Sequence, residues 1–158
     1  MRSEELQAEG LRIRVMTADD YDAVYALWRD TPNMGLNNMD DTREGIVRYL
    51  LRNPRTCFVA EKDAGNSVVG VILSGNDGRR GYIHHAAVRQ SERRQGIGTA
   101  LVEAALAALE REGICKVALV AFRKNEDGNA FWEKRGFGER EDLVYRDREI
   151  VELRKMYT

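Results

Sequence analysis

Cysteine and histidine are scarce in this sequence, with two of each. Two cysteines and two histidines cannot fill a four-ligand structural zinc site without carboxylate help, and their spacing fits no zinc pattern. No metal is therefore expected. A basic excess is also missing: 25 Lys and Arg stand against 26 Asp and Glu, a formal net charge of -1, which lacks the positive footprint of a nucleic-acid binder. No run approaches the ~20 apolar residues that span a bilayer, and the first seven residues are charged and lack the apolar core of a signal peptide. A cytoplasmic protein with no membrane or nucleic-acid partner is expected. Cys57 and Cys115 both sit in apolar runs and read as buried thiols.

What is present suits one domain. The 158 residues are 43% hydrophobic, enough for one substantial core, and 32% charged, as befits a solvated surface. Residues 11–16 alternate apolar and polar, the period of a half-buried strand. Thr17 offers an N-cap, Asp19 and Asp20 suit a first helical turn, and Tyr21, Val24, Tyr25, Leu27 and Trp28 follow at helical spacing to about Arg29. Residues 31–39 read as a loop. Asp40 or Asp41 can cap a second helix with Ile46, Val47, Leu50 and Leu51 on one face, ending before Pro54. Strands are predicted over 56–61, 67–74 and 81–88, with a hairpin signal at 63–66. A strong amphipathic helix covers 96–112 and stops at Gly113. The apolar run 115–122 predicts a central strand buried on both faces. A short helix over 125–135 follows, then one or two strands within 143–153, a plausible surface for a homodimer. There is no repeat or linker, so residues 11–158 form one mixed α/β domain behind a ten-residue leader.

The chemistry concentrates in residues 88–102. A strand ends, a basic glycine-containing turn follows, and a long helix starts at once. The first N–H groups of a helix lack intrahelical acceptors and carry the positive end of its dipole. Gly96 and Gly98 let an anion approach the backbone, while Arg93 and Arg94 add full charges. Together they form a diphosphate cradle. A dinucleotide-binding Rossmann turn would want a third glycine where Leu101 stands, and a Walker loop would want Gly-Lys-Ser or Gly-Lys-Thr, which is absent.

The segment resembles the diphosphate motif of the GCN5-related N-acetyltransferase (GNAT) family, Arg/Gln-x-x-Gly-x-Gly/Ala, met by Arg93, Gly96 and Gly98. Asn125, Phe131-Trp132 and Gly136-Phe137 resemble the family's second cofactor motif, Asn-x-x-Ala-x-x-Phe-Tyr-x-x-x-Gly-Phe. The order of elements fits from Leu11 onward. The resemblance implies a single-domain GNAT fold: a mixed, mostly antiparallel sheet with helices on both faces, its fourth and fifth strands splayed around acetyl-CoA. It implies an acetyl-CoA-dependent N-acetyltransferase in which the primary amine of a small molecule or protein attacks the thioester directly. By position, Ala86 N–H would polarise the thioester carbonyl, and Ala87 and Val88 would flank or hold the pantetheine arm. Arg93, Arg94, Gln95, Gly96, Ile97, Gly98 and Thr99 would bind the diphosphate, and Asn125, Phe131 and Trp132 the cofactor chain.

A lysine-like amine, with a reference pKa near 10.4, must lose a proton before attack. His84 is the expected base, since simple strand alternation gives it the face of Tyr82, Ala86 and Val88. His85 is the second choice, and a local bulge would exchange the two. Where the family usually carries a tyrosine acid, this chain has Trp132, whose indole donates a hydrogen bond but no proton. Tyr145 and Tyr82 are candidate substitutes, with packing against Phe137 as the plain alternative for Trp132. The departure also opens a rival reading, a non-catalytic acyl-CoA-binding sensor or scaffold. Gly128, in place of the family's alanine, is a smaller departure that bears on helix stability rather than chemistry. Acceptor choice is expected near residues 31–39, with Asp40, Asp41 and Glu44 as attractants for a cationic amine and Met34, Leu36 and Met39 as an apolar wall.

Overall fold

Thr17 ends the first strand and starts the first helix. Its N–H donates to the Asp20 carboxylate (2.8 Å), and Arg14 closes on the same carboxylate with two bonds of 2.7 and 2.8 Å. Burial works to raise the Asp20 pKa, but the Arg14 and Thr17 hydrogen bonds outweigh it and hold the carboxyl below its ordinary value. The computed structural model describes residues 10–62 and 67–156; most of the expected leader and the 63–66 hairpin lie outside them.

In chain order the elements are β1 (Arg12–Val15), a 3-10 turn (Ala18–Asp20), α1 (Tyr21–Arg29), β2 (Leu36–Asn37), α2 (Arg43–Arg52), β3 (Phe58–Lys62), β4 (Ser67–Asn76), β5 (Gly81–Val88), α3 (Ile97–Arg111), β6 (Val117–Leu119), α4 (Glu126–Lys134) and β7 (Lys155–Met156). The main sheet runs β1-β3-β4-β5-β6, antiparallel except for the parallel β5–β6 pair. Because the short β2 takes a number, the family's fourth and fifth strands are β5 and β6 here.

Each face of the sheet buries its own apolar cluster. On one, Val24, Leu27, Trp28, Ile46 and Leu50 of α1 and α2 pack on Val59, Val71, Leu73 and Ala87. On the other, Ile97, Leu101, Ala105 and Ala108 of α3 pack on Phe58, Ala60, Ile72 and Ile83. This α/β architecture, helices on both faces of a mostly antiparallel sheet, is the one expected.

Several local expectations need correction. Thr42, not Asp40 or Asp41, caps α2: its Oγ1 accepts the Gly45 N–H at 3.1 Å. Leu51 is not on the buried face of α2 but 78% exposed. The apolar run 115–122 is not a central strand. β6 covers only Val117–Leu119 and pairs on one side alone, and Val120 and Phe122 are exposed at the sheet edge. Cys57 is buried as expected, but Cys115, just before that edge strand, is exposed. Residues 143–153 form no strand. Leu143, Val144, Tyr145, Ile150 and Val151 are exposed, and the chain returns only at β7, which pairs with β2 across Leu36–Met156 and Asn37–Lys155. Alternation there is interrupted by the charged run 146–149, which leaves too little apolar surface on either face to hold the segment against the sheet. No helix among the described residues is long and apolar enough to cross a membrane.

Candidate active site

β5 and β6 are paired only from Gly81 to Ile83. Beyond that the two strands part, and one edge of β5 has no strand partner among the described residues from His84 to Val88. A cleft of about 830 Å³ opens there, between Ala86–Val88 of β5, the start of α3, and Phe131 and Trp132 of α4. Every expected cofactor-binding residue except Gln95 lines it.

The loop before α3 is shaped by two left-handed residues. Arg94 has φ 64° and Gly96, the N-cap, φ 82°. The second position suits glycine, which alone adopts it without strain. The first intrahelical bond runs from Ala100 N–H to the Gly96 carbonyl (3.0 Å), so the N–H groups of Ile97, Gly98 and Thr99 have no intrahelical acceptor. Arg93 Nε donates to the Val88 carbonyl (3.2 Å), which ties the basic loop back to β5. Gly98 serves packing as well as access: a Cβ there would lie 3.2 Å from Phe131 Cζ.

Arg135 was not foreseen. Its Nη1 donates to Thr99 Oγ1, and its guanidinium lies 5.5 Å from the Phe131 ring centroid. It lines the cleft with Lys134, so α4 brings two further cations towards the helix start. Only the i+4 spacing of Phe131 and Arg135 hinted at this, and that spacing is common on exposed helices.

The two departures from the family pattern have local explanations. The Trp132 ring stands between Phe131 (5.1 Å) and Phe137 (5.3 Å), both edge-on, as the plain packing alternative requires. Gly128 accommodates Asn125, whose Oδ1 accepts the Gly128 N–H (3.1 Å) as the cap of α4. A Cβ at 128 would come within 2.4 Å of the Asn125 amide.

The histidines occupy a second pocket of about 550 Å³, lined by residues of the 35–41 loop, α2 and β5. A bulge puts them there. Leu73 pairs with His85 but Ser74 pairs with Ile83, so His84 is an extra residue in β5. The expected face of His84 is thereby corrected: it stays with Tyr82, 4.6 Å between ring centroids, and meets Tyr49 edge-on at 5.4 Å. Ala86 and Val88 pack instead on the α3 side. Burial first, then the neighbouring His85, push the His84 pKa below its usual 6.5, against the opposing pull of Asp41 and Asp40. His85 Nε2 lies 2.7 Å from Asp41 Oδ1, and its ring packs edge-on against Trp28 at 4.9 Å. Asp41 is 3% exposed and also accepts the Asn37 N–H (2.8 Å), so this carboxylate orients a histidine and a loop. Asp40 lines the histidine pocket and Met34 the larger cleft. Glu44 lines neither pocket, and Leu36 is fully buried in the α1–α2 core. Tyr145 is 65% exposed and lines neither pocket.

Since His85 and Ala86 are consecutive, the two pockets adjoin along β5. Residues 21–137 match the model of the acetyltransferase (GNAT) family. An acetyltransferase of Photorhabdus laumondii is 32% identical over 146 residues, covering 90% of this chain and 98% of its own length. Ard1 from Thermoplasma volcanium has the same fold, with a TM-score of 0.69 and 25% identity over 80% of this chain and 82% of that one. The PaiA N-acetyltransferase from Thermoplasma acidophilum, solved in complex with coenzyme A, gives a TM-score of 0.68 at 16% identity, over 79% and 87%.

Proposed function

We propose, because this chain belongs to the acetyltransferase (GNAT) family and is an acetyl-CoA-dependent acyltransferase, that it acetylates the primary amine of a small molecule or protein by direct attack on the thioester. One observation carries the reading: the open edge of β5, the bare helix start of α3 and a histidine pocket adjoin at Ala86. The cleft fits acetyl-CoA. Its volume falls within the roughly 300–1,000 Å³ of small-molecule sites, Phe131 and Trp132 give it an apolar wall, and cations surround the unsatisfied N–H groups of the helix start. The bound thioester supplies an activated acetyl group.

The chain's own groups then have distinct tasks. Ile97, Gly98 and Thr99 N–H, with Arg93 and Arg94, hold the diphosphate. Ala86 N–H stabilises negative charge on the carbonyl oxygen. His84 takes the amine proton, since burial and its histidine neighbour favour the neutral ring near pH 7. A second reading makes His85 the base. Its bond to the Asp41 carboxylate places the ring proton on Nε2, and Nδ1 is buried with no hydrogen-bond partner. Tyr145, exposed as it is, is not needed as an acid. A thiol of reference pKa about 8.5 leaves as thiolate with little help near neutral pH.

The test is thiol release from acetyl-CoA with a panel of amines, preceded by a thermal shift with acetyl-CoA. A raised melting temperature and amine-dependent release support the reading; no shift overturns it. His84→Ala and His85→Ala separate the two bases, because only loss of the true base removes the acid limb of the rate profile. We further assign residues 11–158 to the acetyltransferase domain. Free thiols at Cys57 and Cys115 favour a cytoplasmic location. The exposed apolar residues of the 143–151 segment favour a homodimer; sedimentation velocity checks it.

A further inference from the structure

The histidine pocket holds charges of both signs, and they differ in what they already contact. Its carboxylates are engaged: Asp41 by His85 and Asn37 N–H, Asp40 by the Asn37 amide at 3.0 Å. Its two arginines, Arg48 and Arg52, have no carboxylate partner among the described residues, and both are exposed. Elsewhere on the same helix Arg43 is paired, with Asp22 at 2.5 Å. A spacing of four places Arg48 and Arg52 one turn apart on the same face of α2. Arg52, in the last turn, also complements the helix dipole. Arg48, in the middle of the helix, has no such role. Tyr49 lines the same pocket, edge-on to His84 at 5.4 Å.

Planar guanidiniums without partners, lining a pocket, match oxyanions better than ammonium groups, and two of them repel a polycation. We propose that this pocket selects a small amine that carries an anionic group, carboxylate or phosphate, at the far end of a short spacer. The amine meets His84, and the anion meets Arg48 and Arg52. The inference rests on the function proposed above and narrows its acceptor from any primary amine to an anionic one. Asp40 and Asp41 are then not the attractants of a cationic acceptor, because each already serves the loop or His85.

Matched acceptor pairs test this with the full chain. Acetyl-CoA affinity is measured first, then thiol release with glycylglycine against glycylglycinamide, 4-aminobutyrate against its amide, 3-aminopropyl phosphate against 3-aminopropanol, and spermidine. At least one charged member should exceed its neutral partner about tenfold or more in kcat/KM, as expected for a charge-assisted bidentate contact; the phosphate pair distinguishes the two anions. Arg48→Ala and Arg52→Gln should raise KM for the anionic acceptor towards that of its neutral partner. Acetyl-CoA affinity should be unchanged in both variants, so that the charged-to-neutral ratio reports on the pocket alone. Bound acetyl-CoA with charged-to-neutral ratios near one, a preference for spermidine, or an unchanged ratio in Arg48→Ala overturns this proposal alone. Absence of acetyl-CoA binding overturns it together with the function it rests on.

Discussion

The cofactor cleft and the histidine pocket share β5, yet they are assembled in opposite ways. The cleft takes its largest continuous share of groups from one run of chain, residues 86–99, where a strand edge passes through a left-handed loop into a helix start. Its main donors are backbone N–H groups, so few side chains are decisive. The pocket draws on residues 35–52 and 84–85, which meet only after folding, and its groups are side chains. A backbone-built site keeps its ligand through sequence change. A side-chain site retunes its ligand with each substitution, which is the reason acceptor choice is proposed for the pocket.

Variants can break or sharpen that contrast. The largest effect should come from His84→Ala, a loss of about 10²–10⁴-fold in kcat with acetyl-CoA affinity intact, the usual worth of a general base. Isothermal titration beside steady-state kinetics checks it, and parallel loss of cofactor affinity would mean the two sites are not separable. Its pH dependence has a definite sign. A pKa below 6.5 keeps His84 neutral to lower pH, so parent activity should hold below pH 6.5 before its acid limb, and His84→Ala should lose that limb. By the same depression the unfolded chain binds the proton more readily, so His84 subtracts stability as pH falls through 6.5.

Gly96→Glu should come next. A side chain at φ 82° costs about 1–2 kcal/mol, and the new carboxylate repels the diphosphate. We expect a ten- to hundredfold weaker acetyl-CoA Kd, about 1.4 kcal/mol for each factor of ten, with the amine KM unchanged. Gly98→Ala is milder. Its Cβ must displace the Phe131 ring at 3.2 Å, an overpacking cost of about 1–3 kcal/mol in stability, visible as a lower melting temperature. Tyr145→Phe should change kcat by less than about twofold, within the range of an exposed substitution; a larger loss would restore this tyrosine as the acid.

The same contrast explains what could be read from sequence. The α3 junction was legible because strand end, glycines, arginines and helix start are contiguous, and Asn125 was legible because capping is local. The bulge at His84 was not. It is a mismatch between β4 and β5, and alternation along β5 alone places the ring on the wrong face. The Asp41–His85 bond joins residues 44 positions apart, whereas local signals made Asp41 a helix cap. Residues 115–122 misled because apolarity marks burial without saying which strand takes the sheet edge.

The most direct test of the central claim is a titration of the ¹⁵N-labelled 18.0 kDa chain with acetyl-CoA, followed by amide resonances. The account predicts saturable shifts centred on Ala86–Val88 and Ile97–Thr99, with those of α2 little changed. Saturable shifts confined to other parts of the chain, or none at the start of α3, would contradict it.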